Sequence, residues 1–508
     1  MDFPKAPTPP SNPAWRILAL GTAALALGYY AYVLTRHVGA VAGASDSSGY
    51  MNHARLLAAG HVHVQPRIVP GLPQGSAPPN LYVPLGFKPA WNGDGLVPTY
   101  PTGLGLLVLL LEPVAGWGHA GDAVMILHSL AGLIATYALG RAFGLGRLLA
   151  GLGAAIVALS PLYLFMSLQA MSDIPSLFWT TAAVLAALRS RERPYWALAA
   201  GAAIAIDVLL RPTNVLAFIP VAIALGTSPR RLALFVAGGL PGAVFLLAHN
   251  HASYGSFITT GYEGNTNIFQ AGYVPGSLLQ YAHWLPRLFT PVVVLCLGLP
   301  FLPGVGVRSR WILGSWVFAY AAFYSAYEYT QEVWWYERFL LPAAPALVVG
   351  GLLVLRAVTS RLPAWLDPGR SAAVVVVILA LVAGYSKRLV SDLYVFTIGD
   401  EELRYERACD WLRANLPPDA VCLTMQASGA LFYYTHFTFI RWDMLDEGNV
   451  GKVETAIRSA RRPLYAVLFP FEVERSGALD RKMPGHWTEV GKVEDVRIYR
   501  RDFGTAQN

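Results

Sequence analysis

Charged residues are scarce in this sequence: Asp, Glu, Lys and Arg make up 14% of the 508 residues, whereas 55% are hydrophobic. Soluble proteins carry about a quarter of their residues as charges, so the composition excludes an ordinary soluble protein. The mean hydropathy is +0.43, and apolar blocks long enough to cross a bilayer recur between residues 15 and 384. The sequence therefore predicts a polytopic α-helical membrane protein.

Cysteines and nucleotide-binding motifs are also sparse or missing. Of three cysteines, Cys296 lies in an apolar block, and Cys409 and Cys422 lie near the C-terminus, where the sequence leaves a disulfide between them open. There is no Walker loop, dinucleotide fingerprint, zinc-type cysteine pair or nucleophile-elbow serine. Nucleotide-driven transport is thus disfavoured, and any group transfer outside the cytoplasm needs an activated donor carried in the membrane.

The formal net charge of +7 arises largely in short connections between apolar blocks and does not indicate nucleic-acid binding. The basic connections are 189–193, 228–231, 308–310 and 360–370. They alternate with connections that are poorer in basic residues for their length, at 166–173, 211–214, 250–288 and 328–338. The positive-inside rule places the basic set in the cytoplasm. About eleven crossings follow, with the N-terminus inside and the C-terminus outside.

Three regions of different composition are predicted. Residues 1–14 form a Pro-rich cytoplasmic tail, and residues 15–384 form the transmembrane domain, which begins with a retained anchor over 15–34. This domain has a long first extracytoplasmic loop, 35–100. Its block 101–118 contains Glu112–Pro113 and is expected to be re-entrant or to end on the outer side. Residues 385–508 are predicted to be an extracytoplasmic α/β domain, with strands at 421–425, 437–442, 465–469 and 497–501.

Two carboxylates fall at predicted outer boundaries of the membrane. Asp46 directly follows the first span and precedes an amphipathic helix, Tyr50–Ala59, expected to lie along the membrane surface; Asp173 ends a later outer connection. Each can simply cap a helix. Because charge at a lipid boundary is costly unless it is used, the pair favours catalysis.

Two arginines, Arg211 and Arg338, also fall on the outer side, against the positive-inside bias. A guanidinium group matches phosphate geometry with paired donors, so the two predict a phosphate clamp. Each arginine also has a simpler explanation. The Arg211 side chain can snorkel to a lipid head group. The residues beside Arg338, including Tyr336 and Glu337, can belong to an interfacial aromatic belt.

Weaker candidates lie in the loops. His61 and His63, near Asp94, can ligate a metal ion, although exposed loop histidines are common. The polar loop 249–267, with Tyr262, either shapes a substrate pocket or merely connects two spans.

An ordered set of motifs resembles a known family. After Asp46 come YPTGLGLLV (100–108), LGRAFGLG (139–146), SLQAMSDIP (167–175), LLRPTN (209–214) and YERFLLPAAP (336–345). This order and its membrane placement resemble GT-C glycosyltransferases, in particular bacterial protein O-mannosyltransferases and aminoarabinose transferases. The resemblance implies a polyprenyl-phosphate-linked sugar donor and inversion at the anomeric carbon.

The resemblance also implies residue roles. Asp46 is the catalytic base, and Asp173 positions the acceptor or the base. Arg211, Arg338 and Tyr336 bind the lipid phosphate or donor. Candidates for the acceptor site or pocket are Tyr50, Tyr100, Tyr262 and Glu337. Where many relatives carry a second acid, this sequence has Ser47 and Val97–Thr99, so the resemblance implies neither a metal site nor aminoarabinose transfer. No cofactor is assigned, and a divalent metal ion stays open.

The resulting prediction is a membrane glycosyltransferase of the bacterial inner membrane, with its active site and C-terminal domain extracytoplasmic. Its expected partners are a polyprenyl-phosphate-linked sugar, an acceptor protein, lipid or glycan, and membrane lipids. The main alternative is a transporter or flippase of an anionic glycolipid that performs no chemistry. A non-catalytic scaffold for envelope assembly is a third.

Overall fold

The computed structural model describes residues 13–262 and 266–503; most of the predicted tail 1–14 lies outside them. Their contacts divide the chain into two compact units. The first, named the helical unit here, contains residues 13–38, 122–246 and 266–398. The second, named the sheet unit, contains residues 39–121, 247–262 and 399–503.

The α-helices are, in chain order, α1 (Pro13–His37), α2 (Ser45–Ala58), α3 (Thr102–Ala115), α4 (Ala120–Ala142), α5 (Arg147–Ala158), α6 (Pro161–Ser167), α7 (Asp173–Arg189), α8 (Trp196–Leu210), α9 (Phe218–Leu225), α10 (Pro229–Tyr254), α11 (Val274–Leu288), α12 (Val307–Ser325), α13 (Ala344–Thr359), α14 (Ala372–Asp392), α15 (Ile398–Asn415), α16 (Ser428–Tyr434), α17 (Val450–Ser459) and α18 (Pro470–Glu474). The strands are β1 (Phe87–Pro89), β2 (Leu96–Pro98), β3 (Val421–Leu423), β4 (Thr438–Ile440), β5 (Leu464–Leu468), β6 (Trp487–Val493) and β7 (Val496–Arg501).

Long apolar helices confirm a multi-pass membrane protein. Within the described residues, four helical segments are long and apolar enough to cross a bilayer: α4, α10, Trp334–Thr359 and α14. The number rises to six if each of two bent pairs is one span. In addition, α1 covers the predicted anchor over 15–34. Other predicted crossings fall on shorter helices, such as α7 with 17 residues and α8 with 15.

Prolines break several apolar blocks that the sequence presents as continuous. The predicted span 147–165 is divided between α5 and α6, which bend by 60°, because Ser160 caps α6 and Pro161 starts it. The predicted span 289–304 is instead a 3₁₀ helix, Pro291–Phe301, bent by 114° from the preceding helical segment. An apolar run indicates that its side chains contact lipid or the protein interior. It does not indicate the direction of the backbone, so the sequence could not predict these bends.

The sheet unit is built on a five-stranded sheet in the order β4-β3-β5-β7-β6. β3 pairs in parallel with β4 and β5, whereas β7 pairs antiparallel with β5 and β6. The four predicted strands coincide with β3, β4, β5 and β7, so the predicted α/β fold near the C-terminus is confirmed. β6 was missed because its side chains are mostly exposed and lack a strong apolar signal.

The first long loop belongs to the sheet unit and supplies part of its core. Val69, Leu72, Leu81 and Tyr82 are buried in one cluster with strand residues of β3, β4 and β5, and the Arg441 N–H donates to Leu81 O at 2.9 Å. The unit therefore joins residues 39–121 to the C-terminal segment, a boundary different from the predicted division at 384. Cys409 and Cys422 are both buried free thiols in the core.

The block 101–118 forms α3, of 14 residues, within the sheet unit. Such a helix is about 21 Å long, less than the roughly 30 Å of hydrocarbon in a bilayer. This length favours the predicted re-entrant or outer-side position.

Candidate active site

Asp46 lies in the first turn of α2 and is half-buried. The Tyr100 hydroxyl donates to Asp46 Oδ1 at 2.6 Å and lies 3.0 Å from Ser45 Oγ. The N-cap of α2 is Ala44, whose side chain makes no cap hydrogen bond. Asp46 is therefore not the N-cap residue; its carboxylate lies in the first turn of the helix, where negative charge is favoured.

Two other predicted pocket tyrosines, Tyr50 and Tyr262, lie beside the ring of Tyr100 in the sheet unit. The Tyr100 ring lies 5.2 Å from the Tyr50 ring and 6.3 Å from the Tyr262 ring, measured between centroids. Burial, and then the charge of Asp46, raises the pKa of Tyr100 well above its usual value. The Tyr100 hydroxyl thus stays protonated and serves as a donor to Asp46.

The predicted surface helix is buried, which corrects the sequence interpretation. Every residue of α2 from Ser47 to Ala54 is buried. Within the sheet unit, the backbone of Gly86 packs against Gly49 of α2. The Gly429 carbonyl accepts a hydrogen bond from Asn52 Nδ2 of α2 at 3.0 Å. Partners far apart in sequence cover both faces of α2, so its amphipathic pattern could not reveal this burial.

Gly49 makes that close approach possible, and the variant Gly49→Ala tests it. A Cβ atom on Gly49 would lie 2.3 Å from Tyr100 Cδ2 and 3.0 Å from Gly86 Cα. We expect the variant to lose about 1–3 kcal/mol of unfolding free energy from overpacking. Chemical denaturation of the purified protein measures this. Gly75→Ala is the control, since nothing lies within 4 Å of that position; equal stability of the two variants would contradict the packing.

Glu402, on α15, is a second carboxyl group near Asp46 that sequence reasoning missed. It is 4% exposed, and its Oε2 accepts from the Ala44 N–H at 3.2 Å. Burial, with smaller contributions from Asp46 and Glu401, raises the pKa of Glu402 to about 7. More than 350 residues separate the two carboxyl groups, so no local motif could join them.

The pH dependence of stability tests the environment of Glu402. The folded state holds this proton up to about pH 7, whereas the unfolded chain releases it near its ordinary pKa. Unfolding free energy should therefore fall by roughly 1–3 kcal/mol between pH 5 and pH 8. Glu402→Gln should remove this loss, as measured by denaturation at both pH values.

Glu401→Gln is the matched control, because Glu401 is half-exposed and lies 4.0 Å from Arg404. It should retain most of the pH-dependent loss, because Glu401 makes only the smallest contribution to the raised pKa of Glu402. An unchanged pH dependence in Glu402→Gln would contradict the assignment.

His53, also on α2, is a second buried group that the sequence did not single out. It is fully buried, and its ring stacks on that of His249 with 5.2 Å between centroids. Burial lowers the pKa of His53 to about 3, so its imidazole is neutral near pH 7.

In the helical unit, Asp173, Arg211 and Arg338 form one ionic cluster. Asp173 Oδ1 accepts a charged hydrogen bond from Arg211 Nη1, and its Oδ2 lies 4.0 Å from Arg338 Nη1. Asp173 is 2% exposed. Its carboxylate sits in the first turn of α7 behind the N-cap Ser172, so it acts as an ion-pair partner and not as the cap.

Aromatic rings hold the two guanidinium groups. Arg211 and Arg338 lie 5.0 and 5.2 Å from the centroid of the Phe339 ring, and Arg338 also lies 5.7 Å from the Tyr336 ring. Arg338 Nη1 contacts Met171 Sδ at 3.4 Å. These contacts orient the arginines inside the protein, so Tyr336 is more than part of an interfacial aromatic belt.

Glu337, adjacent in sequence to this cluster, is 1% exposed. Neither of its carboxylate oxygens has a hydrogen-bond partner among the described residues. The structure therefore places this predicted pocket residue in the interior without pairing it to the arginines.

A buried network around Asp207 was missed by the sequence analysis. Asp207 accepts from Thr180 Oγ1 at 2.5 Å and from Asn214 Nδ2 at 2.7 Å, and Tyr320 donates to Asn214 Oδ1 at 3.1 Å. Asp207 O also accepts from the Arg211 N–H at 3.0 Å. The network thus fixes the turn from which Arg211 projects. The sequence signal that could have revealed this network is Asp207 itself, an acidic residue within the apolar helix α8.

The candidate metal ligands are not assembled into a site. In residues 13–262 and 266–503, no group of three or more His, Cys, Asp and Glu side chains is arranged to hold a metal ion. Asp94 Oδ1 instead accepts from Gln65 Nε2 at 2.7 Å.

Solved structures share the architecture of this chain. ArnT from Cupriavidus metallidurans, in the apo state, superposes with a TM-score of 0.56 at 13% identity, covering 96% of this chain and 98% of ArnT. The ArnT structure bound to undecaprenyl phosphate gives 0.55 at 14% identity, with the same coverage. The chain has the GT-C fold.

Two further structures with the GT-C fold are similar. The oligosaccharyltransferase AglB from Archaeoglobus fulgidus, in complex with an inhibitory peptide and a dolichol-phosphate, gives a TM-score of 0.50 at 12% identity and covers 88% of this chain and 69% of AglB. The arabinofuranosyltransferase AftD from Mycobacteria gives 0.52 at 12% identity, over 94% of this chain and 41% of AftD. No protein-family model and no curated protein sequence matches this chain. The predicted GT-C resemblance is therefore confirmed at the level of the fold.

Proposed function

We propose that this protein is an inverting glycosyltransferase that moves a sugar from a polyprenyl-phosphate carrier to an acceptor hydroxyl. The observation that carries the proposal is the placement of two guanidinium groups, Arg211 and Arg338, on one buried carboxylate. This occurs in a GT-C fold whose similar structures ArnT and AglB hold undecaprenyl phosphate and dolichol-phosphate. When ionised, Asp173 and the two arginines carry a net charge of +1, which attracts a phosphate diester.

Asp46 supplies the general base in this proposal. Its carboxylate removes the proton of the acceptor hydroxyl while the acceptor oxygen forms a bond to C1 of the sugar. The bond from C1 to the phosphate oxygen breaks, and its electron pair remains on the polyprenyl phosphate. Attack on the face opposite the phosphate inverts the configuration at C1. Tyr100 donates to Asp46 and so keeps the carboxylate in one orientation.

Arg211 and Arg338 stabilise the leaving phosphate. Negative charge grows on the phosphate as the C1–O bond breaks, so guanidinium groups held in place by Asp173 and Phe339 stabilise the transition state more than the ground state. Asp173 is a positioning residue in this scheme, since its hydrogen bond orients Arg211.

The proposal places the protein in the bacterial inner membrane, with the reaction and the sheet unit on the extracytoplasmic side. The alternation of basic connections supports this orientation. A carrier lipid supplies the activated sugar there, where nucleotides are absent. The acceptor is a protein, a lipid or a glycan.

Turnover with defined donors tests the function. Purified protein is incubated with a panel of polyprenyl-phosphate sugars, with and without a chelator, and free polyprenyl phosphate is measured. We expect release of free polyprenyl phosphate with at least one donor, and a product of inverted anomeric configuration by NMR. Movement of the intact glycolipid across a vesicle membrane without any release of polyprenyl phosphate would instead identify a flippase.

A further inference from the structure

Three arginines from three different connections meet at the C-terminal end of α9 in the helical unit. Arg191 Nε donates to Ala224 O, Arg231 Nε donates to Leu225 O, and Arg308 Nε donates to Ile223 O, each at 2.9 Å. These residues, named the arginine cluster here, come from the connections 189–193, 228–231 and 308–310. All three connections are predicted to be cytoplasmic.

The outer nitrogens of the arginine cluster converge on one point beside Gly226. A Cβ atom built on Gly226 would lie 2.6 Å from Arg191 Nη2, 2.9 Å from Arg308 Nη2 and 3.7 Å from Arg231 Nη2. Gly226 has φ of +69° and no side chain, so the three guanidinium groups can approach its backbone and one another closely.

No carboxylate balances the cluster. Among the described residues, Arg191, Arg231 and Arg308 form hydrogen bonds only to backbone carbonyls, and none of them has an Asp or Glu ion-pair partner. All three side chains are half-buried, so their mutual repulsion is less screened than on an open surface.

Capping of α9 accounts for only part of this arrangement. Unpaired carbonyls and the helix dipole favour cations at a helix C-terminus, which explains the hydrogen bonds from the three Nε atoms. It does not explain why three Nη2 atoms face one point with no acid between them. Converging guanidinium donors of this kind match the oxygens of a phosphate group.

We propose that the arginine cluster binds a phosphate group, and that its usual source is the head group of an anionic phospholipid. Exposed apolar side chains lie next to the arginines in sequence: Leu232, Val307 and Trp311 are 40%, 60% and 63% exposed. Such side chains suit contact with acyl chains, whereas free phosphate would gain nothing from them. The site belongs to the predicted cytoplasmic side and takes no part in the proposed glycosyl transfer.

Native mass spectrometry of the full chain in detergent tests this site. The protein is titrated with phosphatidylglycerol, with phosphatidylcholine and, separately, with inorganic phosphate. The test variant combines Arg191→Gln, Arg231→Gln and Arg308→Gln, and a second variant carries lysine at the same positions. Arg230→Gln is the matched control, since Arg230 is an exposed neighbour in the same connection.

We expect the native protein to retain phosphatidylglycerol over phosphatidylcholine by about tenfold or more, from hydrogen bonds to charged groups. The glutamine variant should lose this preference and the Arg230→Gln control should keep it. The lysine variant should keep part of the preference for phosphatidylglycerol, because its charge remains while the paired donors are lost. If the glutamine variant does not fold, this partial loss in the lysine variant tests the proposal. Binding of inorganic phosphate that needs the same arginines, without lipid retention, would support the phosphate site and assign it to a free anion.

Equal retention of the two lipids by the native protein, together with no arginine-dependent binding of phosphate, would overturn the proposal. So would equal losses in the glutamine variant and in Arg230→Gln. The three arginines would then serve only to cap α9.

Discussion

Asp46→Asn should lower the rate of sugar transfer by about 10²–10⁴-fold, the usual contribution of a general base. The amide cannot take the acceptor proton, but it preserves the size of the side chain and can still accept the Tyr100 hydroxyl bond seen at 2.6 Å. The effect should therefore appear in kcat, with little change in unfolding free energy or in donor binding. Release of polyprenyl phosphate, measured alongside a denaturation curve, separates these quantities.

Asp410→Asn is the control for this substitution. Asp410 lies on α15 in the same unit, is 55% exposed and pairs only locally with Arg413, so its loss should leave turnover unchanged. Tyr100→Phe should have an intermediate effect, since it removes one hydrogen bond and leaves the carboxylate. A folded Asp46→Asn protein with native turnover would remove Asp46 from the mechanism.

Arg338→Gln should reduce kcat/KM for the lipid-linked donor by about 10²–10³-fold, the range found when a donor that stabilises developing negative charge is removed. The reason is that Arg338 belongs to the ionic cluster around Asp173, 4.0 Å from its Oδ2, and this cluster carries the positive charge proposed to bind the donor phosphate. Because a lysine keeps the charge without the paired donors, Arg338→Lys should recover part of the rate.

Arg211→Gln should differ from Arg338→Gln in one respect. Arg211 makes the direct hydrogen bond to Asp173, so its removal leaves a buried carboxylate poorly compensated and should also cost about 3–5 kcal/mol of stability. Arg388→Gln, an 85% exposed arginine on α14, is the control for both. If Arg338→Gln left kcat/KM unchanged in a folded protein, the phosphate role would be wrong.

The carboxylates and arginines of the candidate site were predictable from the sequence because membranes make charge expensive. Asp46, Asp173, Arg211 and Arg338 stand out against apolar surroundings, and the order of their motifs predicted the GT-C fold that the structural comparison confirmed. Their hydrogen bonds to Tyr100, and to one another within the helical unit, were not predictable.

Other parts of the site gave no usable signal. Glu402 looks like an ordinary acid on an amphipathic helix, and only folding brings it to Ala44. The burial of α2 was predicted wrongly, because its amphipathic pattern is the same for a helix on a membrane surface as for one packed inside a protein. The three arginines around Gly226 lie in basic connections. The positive-inside rule already accounted for those connections, so nothing in the sequence indicated that the arginines meet.

Composition and the spacing of apolar and charged residues by themselves determined that this chain is a multi-pass membrane protein with an α/β segment near its C-terminus. Hydrophobic transfer and backbone hydrogen bonding act locally, so a sequence pattern records them. Tertiary structure alone decided that the first loop completes the sheet unit, that α2 is buried, and which charged groups meet. Those outcomes depend on contacts between segments hundreds of residues apart, and no local pattern encodes such contacts.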